Sequence, residues 1–274
     1  MRKSCALITG ASMGLGEAFA RLCARRGMDL LLVALPGSGL PALARELAEE
    51  RGVDVAFLEA DLTQESTIAR IAQMLRDKGF ALSLLVNNAG IGEPGSFTRF
   101  PLAYHDDTIA LNVTALTRLC RLAVAEFGDR RGCGILNVSS LGSLYPMPGM
   151  AVYAGTKSYV RCFSLALREE LEGKVSVSTL CPNAFVTTPD SAAYIAGCGL
   201  AARLACLSAE RIAREGLDGL ARGKAIVYPG FFNAVLAGLS RFTPRALYCA
   251  AVRRYWGGFM KDAPTLWHRS GCAS

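Results

Sequence analysis

Short apolar runs alternate with helix-period segments along most of this chain. No other feature constrains the fold as much. Residues 29–35 read DLLLVAL, apolar on both faces of an extended strand. Such strands arise when helices cover both sides of a parallel sheet. Similar runs at 5–9, 53–58, 82–87, 133–139, 175–180 and 225–228 predict further strands. The spacing between them predicts helices over 14–26, 40–51, 64–78, 103–127, 151–172 and 208–221, the last with Ser208 as N-cap. Repeated βα units imply an α/β architecture, a doubly wound parallel sheet with helices on both faces. No fixed-period repeat appears and no linker divides the chain. The expectation is one domain over 1–228, followed by a C-terminal helical extension over 229–274.

Composition closes off several function classes. The 274 residues are 51% hydrophobic and 19% charged, which excludes a disordered chain. The longest uncharged stretch, 132–156, is too rich in Ser, Gly and Pro for a membrane-spanning helix. Ten cysteines occur without a Cys-x-x-Cys pair, and only His105 and His268 could join them, so no metal site is expected. Buried thiols in a reducing cytoplasm are the expected use. With two histidines and no Gly-x-Ser-x-Gly, a serine or cysteine hydrolase is disfavoured. The net charge of +7 is unevenly placed. Acids and bases balance up to residue 221, whereas 222–274 hold eight basic residues against Asp262 alone.

The first strand runs into Thr9-Gly10-Ala11-Ser12-Met13-Gly14-Leu15-Gly16. Glycines between a strand and a helix permit a tight turn and let backbone approach a pyrophosphate at the helix N-terminus. Glu17 follows where a P-loop would carry Lys, which argues against a nucleoside triphosphatase. Further on, the strand at 133–139 ends beside Ser140, and Tyr153 and Lys157 follow in Tyr-Ala-Gly-Thr-Lys. Residues i and i+4 share a helix face. A lysine cation beside a phenol favours the phenolate, so a lowered Tyr153 pKa is expected, making it a proton donor and acceptor near neutrality.

Together these motifs resemble the short-chain dehydrogenase/reductase superfamily over roughly residues 4–228. The resemblance is carried by TGxxxGxG at Thr9–Gly16, Asp61-Leu62 after the third strand and Asn87-Asn88-Ala89-Gly90. Asn112, Ser140, Tyr153 and Lys157 match the family's tetrad, and the segment 181–187 (CPNAFVT) matches its nicotinamide loop. It implies a Rossmann-like fold and a catalytic set of Asn112, Ser140, Tyr153 and Lys157. Tyr153 would be the general acid or base, Ser140 would polarise the substrate oxygen, Lys157 would tune Tyr153 and hold the ribose, and Asn112 would hold a relay water. The implied cofactor contacts are Gly10, Ser12, Met13, Gly14, Leu15, Gly16, Leu35, Asp61, Leu62, Asn88, Ala89, Gly90, Tyr153, Lys157, Pro182, Phe185 and Thr187. Asn183 stands where the family usually has glycine. Asn tolerates positive φ, so the turn should survive with a polar side chain added.

The second strand ends in Ala34-Leu35-Pro36-Gly37-Ser38-Gly39, without an acid to repel a 2′-phosphate. The expected cofactor is NADP or NAD, with NADP preferred, its phosphate received by backbone N–H groups and the Ser38 hydroxyl of that turn. Residues 188–207 form the expected substrate lid; with Phe97 and 145–150 they suggest a lipophilic carbonyl or alcohol. The expected activity is that of a carbonyl reductase in a cytoplasmic homodimer or homotetramer that binds no nucleic acid. Arginines beside aromatics in the tail suit a membrane surface or an acidic partner. The alternative is a non-catalytic dinucleotide sensor or membrane-surface scaffold of the same fold; the filled tetrad favours the enzyme.

Overall fold

The computed structural model describes residues 4–183, 206–240, 242–244 and 246–250. In chain order run β1 (Ser4–Thr9), α1 (Gly14–Arg25), β2 (Asp29–Ala34), α2 (Leu40–Arg51), β3 (Val55–Glu59), α3 (Glu65–Asp77), β4 (Ala81–Asn87), α4 (Leu102–Ile109) and α5 (Leu116–Phe127). Then come β5 (Cys133–Val138), α6 (Ala151–Glu170), β6 (Val175–Leu180), α7 (Ala209–Ala221), β7 (Ile226–Val227) and α8 (Phe231–Ser240). One sheet holds the seven strands in the order β3-β2-β1-β4-β5-β6-β7, every pairing parallel. The chain turns back on itself at β1, which lies between β2 and β4. In such sheets a ligand crevice opens at the carboxyl ends of those strands.

Side chains alternate across each strand and feed two cores. Ala6 and Ile8 of β1 and Leu30 and Leu32 of β2 meet Phe19, Leu47 and Leu217 from α1, α2 and α7. Leu7 and Leu31 point the other way, to Ile71, Leu119, Phe127 and Val160 from α3, α5 and α6. All of β2 is buried, as its unbroken apolar run anticipates. Each fully buried side chain of this size contributes roughly 1.5–3 kcal/mol.

Three findings go beyond the sequence reading. The helix expected over 103–127 is interrupted by a π-helical turn, Ala110–Ala115, which carries Asn112. The run Leu102–Phe127 is long and apolar enough to cross a membrane by length and composition. Its α5 half lays Leu116, Leu119, Ala123 and Phe127 on the sheet, the use an α/β core makes of such a run. Second, Asn87 and Asn137 are register partners on β4 and β5, and the Asn87 amide donates to Asn137 Oδ1 at 2.8 Å. Asn137 in turn donates to Ser164 Oγ at 2.9 Å, so a buried polar chain ties two central strands to α6. Third, α8 is fastened to the domain rather than hanging from it. Asn233 is buried and donates to Pro229 O at 2.8 Å, while the Gly230 N–H donates to Glu215 Oε2 at 2.8 Å. Of the helix expected after Pro244, 246–250 is helical and the remainder lies outside the described residues.

Candidate active site

The glycine turn follows β1 directly. Gly10 and Gly14 have φ of 61° and 57°, a region closed to most side chains. A Cβ on Gly16 would lie 2.7 Å from Asn88 Nδ2 and collide with the Gly10 carbonyl, so only glycine lets α1 start this close to the strand. Leu15 is buried, Ser12 is half-buried and Met13 is 62% exposed at the rim. Met13 occupies the N-cap without a side-chain hydrogen bond, which leaves the first-turn amides of α1 for a ligand. Thr9 and Asn88 lock this turn to β4. Thr9 Oγ1 accepts from the Asn88 and Ala89 N–H groups at 3.0 and 3.1 Å, and Asn88 Nδ2 donates to Thr9 O at 3.0 Å.

The tetrad residues converge at the carboxyl edge of the neighbouring strands. Lys157 is 5% exposed and its Nζ donates to Val138 O at 3.0 Å, anchoring α6 to the end of β5. Ser139 Oγ donates to the Lys157 carbonyl at 2.7 Å, a second stitch between the same elements. Ser140 caps a short 3₁₀ turn, Leu141–Leu144, its Oγ accepting from Gly142 N at 3.0 Å. Asn112 sits in the π turn with its amide almost fully spent. Its Nδ2 donates to Ile91 O at 2.9 Å and to Thr156 Oγ1 at 3.0 Å, while Oδ1 accepts from Ile91 N at 2.9 Å. That side chain therefore pins the loop after β4 against α6, and only one lone pair remains for the expected relay water. Gly90 fills the angle between them: a Cβ there would lie 3.0 Å from Asn112 Oδ1 and 3.1 Å from Lys157 Nζ.

The electrostatics correct one expectation. The Tyr153 pKa is raised, not lowered, because burial disfavours the phenolate more than the Ser140 hydrogen bond favours it. The Lys157 ammonium lies 5.7 Å over the Tyr153 ring centroid, beside the π face rather than the hydroxyl. Burial acts on Lys157 as well and pushes its pKa down to about 8. The buried Cys181 thiol, on the loop after β6, is pushed up to about 11 by the same cause.

Several contributors carried no readable signal in the sequence. Gly92 packs its backbone on the Tyr153 ring: a Cβ there would stand 2.6 Å from Cγ. Beside that ring lies a narrow cleft lined by Glu93, Tyr104 and His105, together with Phe97 and Met150, which the sequence did single out. His105 stacks on Phe97 with ring centroids 4.7 Å apart and its Nε2 lies 2.9 Å from Phe97 O. A wider depression of about 320 Å³ lies near the amino ends of β5 and β6, lined by Arg131, Arg168 and Lys174, away from all of these groups.

At the outer end of the crevice, Leu35 is 46% exposed. Glu59 of β3 reaches the turn beyond it, Oε1 accepting from Gly37 N at 2.9 Å, and Ser38 Oγ donates to Leu35 O at 2.6 Å. One N–H and the hydroxyl expected to receive a phosphate are thus engaged within the protein, and an acid does stand at the turn, supplied by β3 instead of β2. Asp61 Oδ1 accepts from Thr63 N at 2.8 Å before α3, and Leu62 is buried. On the opposite side, buried Pro182 accepts from Leu141 N at 2.8 Å. No described residue other than glycine has positive φ, so Asn183 needs no left-handed backbone. Its side chain instead donates to Asn233 Oδ1 of α8 at 3.2 Å. Phe185, Thr187 and most of the lid expected at 188–207 lie outside the described residues.

The family model for short chain dehydrogenases matches residues 4–194, most of the sheet and every tetrad position. The chain belongs to the short-chain dehydrogenase/reductase family. Human 17-beta-hydroxysteroid dehydrogenase type 3 is 32% identical over 186 residues, covering 66% of this chain and 59% of that protein. A very-long-chain 3-oxoacyl-CoA reductase of Pyrenophora tritici-repentis is 31% identical over 177 residues, covering 62% and 51%. The matched region thus spans between half and three fifths of these curated relatives. A solved short-chain dehydrogenase from Sphingobium yanoikuyae, in complex with NADPH, is similar at a TM-score of 0.72 and 30% identity, over 97% of this chain and 99% of that one.

Proposed function

We propose that this family member is an NAD(P)(H)-dependent oxidoreductase moving a hydride between nicotinamide and a lipophilic carbonyl or alcohol. The observation that carries the reading is the meeting of Asn112, Ser140, Tyr153 and Lys157 at the sheet edge, beside a glycine cradle that any added Cβ would fill. The cradle, the uncapped first turn of α1 and Gly90 fit a dinucleotide. When bound, the nicotinamide supplies or accepts the hydride. Tyr153 donates its proton to the substrate oxygen in reduction and takes it back in oxidation. Its raised pKa keeps it a proton donor at neutral pH. Ser140 orients the same oxygen. Lys157, held by Val138 O, places a cation near the ring and would hold the nicotinamide ribose.

NADP(H) is the preferred cofactor in this reading, supported by the missing acid at the end of β2 and by the NADPH in the Sphingobium yanoikuyae structure; Glu59 weakens the preference. The relatives named for steroid and very-long-chain acyl substrates, with Phe97 and Met150 at the cleft, support a lipophilic substrate. Pairing through the exposed faces of α4 and α6, where Leu102, Ile109 and Tyr159 project, would give a homodimer or homotetramer. The test is NADPH and NADH consumption with a panel of ketones, aldehydes and acyl thioesters, wild type beside Tyr153→Phe. Loss of consumption in the variant is expected. A Tyr153→Phe protein as active as wild type would sink the mechanism.

A further inference from the structure

Helix α8 carries its apolar face outward. Phe231 is 85% exposed, Leu239 57% and Phe242, just beyond the helix, 85%; Val235 is exposed between them. The steps of four, four and three residues align them on one side of the helix. Ala234 and Gly238 are exposed as well, so no polar side chain interrupts this face. A helix packed on a soluble domain normally does the opposite. Rolling the helix to hide these side chains is blocked from beneath: Asn233 and Ala237 are buried, and Asn233 is bonded to both Pro229 O and Asn183. Leu236 O also accepts from the Tyr145 hydroxyl at 3.5 Å, and Tyr145 stacks on Tyr248 with centroids 3.6 Å apart.

The charge of the sequence around α8 selects the occupant. Between Asp218 and Asp262 the chain has no acidic residue, yet it carries Arg222, Lys224, Arg241, Arg245, Arg253, Arg254 and Lys261. Arg241 and Arg245 bracket Phe242 in sequence. A second copy of the chain would set this excess of +7 against its equal. An anionic bilayer supplies what the segment lacks, an apolar interior beneath negative headgroups. At 10 residues, α8 spans about 15 Å, half the hydrocarbon thickness, so it can lie in the interface but not cross it.

We propose that Phe231, Val235, Leu239 and Phe242, in a stretch of sequence that is basic from 222 to 261, form a docking surface for an anionic lipid membrane. The proposal stands apart from the oxidoreductase reading, because no catalytic group takes part in it.

Flotation of the full chain tests it, with vesicles of phosphatidylcholine alone and of phosphatidylcholine mixed with phosphatidylglycerol, at low and high salt. The protein should float with the mixed vesicles at low salt, and raised salt or neutral vesicles should weaken binding. Phe231→Ser combined with Phe242→Ser should lower affinity at least about tenfold, since two aromatic side chains leave the interface. Both positions are exposed, so thermal unfolding should match wild type and establish that the variant is folded. Hydrogen exchange over 231–242 should slow when mixed vesicles are added. Three results would each overturn the proposal: no flotation with mixed vesicles, equal flotation of the double variant, or sedimentation showing a dimer that the double variant dissolves without lipid.

Discussion

Lys157→Met should stabilise the protein near neutral pH while removing its turnover. Lys157 is 5% exposed and its Nζ donates to Val138 O. Burial moves its pKa from 10.5 to about 8. At 1.36 kcal/mol per unit, keeping the cation folded near pH 7 costs about 3 kcal/mol. Methionine keeps most of the stem's packing and removes the charge. It strands the Val138 carbonyl, a loss of about 1 kcal/mol. The net gain is about 2 kcal/mol, or a Tm rise of roughly 4 °C for a domain of this size. The sign depends on pH. Between about 8 and 10.5 the unfolded lysine holds a proton that the folded one has released, so wild-type stability rises with pH across that window. Above about pH 11 the penalty is gone and the variant should fall about 1 kcal/mol behind. The raised Tyr153 pKa adds stability present below about 10 and lost above it, in both proteins alike. Thermal unfolding without nucleotide, at the two pH values, measures the difference. A variant equally displaced at both, or less stable at pH 7, would refute the claim that a buried ammonium is held at a cost.

Three further outcomes are expected. Gly92→Ala places a methyl against the Tyr153 ring; kcat should fall about 100-fold while nucleotide affinity, read by calorimetry, holds steady. Asn233→Ala removes the bonds to the buried Pro229 carbonyl and to Asn183; urea unfolding should lose about 1–3 kcal/mol and KM should rise as the wall carrying Tyr145 loosens. Glu59→Gln removes a carboxylate from the turn at Gly37 while keeping an acceptor. Its kcat/KM with NADPH should rise about fivefold with NADH unchanged, the scale of one surface charge repulsion.

The sheet was legible because burial on both faces leaves a mark that needs no partner to interpret. Asp29–Ala34 is apolar throughout and ended up wholly buried. The glycine turn was legible for a similar reason, since Gly10 and Gly16 answer to local sterics. The long-range contacts were not. Gly92 looks like one of several glycines in a loop, and only the folded chain brings Tyr153 against it. Nothing in residues 53–59 announced that Glu59 would reach across to Gly37. The phenol pKa went astray because helical spacing puts Lys157 on the same face as Tyr153 but says nothing about depth, and depth decides. Asn183 was read for its backbone tolerance, whereas its side chain is what the fold uses. The tail's charge and aromatics point to an outside partner, whereas one asparagine in an apolar run, Asn233, marks its attachment to the domain.

The π turn at Ala110–Ala115 sets the angular phase of everything before it. Each residue in an α-helix advances about 100°, so the additional residue in a π turn swings α4 by that angle relative to α5. The swing lets α5 seal the sheet while α4 aims Tyr104 and His105 at the cleft beside Tyr153. A single-residue deletion inside this turn would restore an ideal helix and still unbuild the cleft wall. Residue count, together with the identity of Asn112, is what this stretch has to keep.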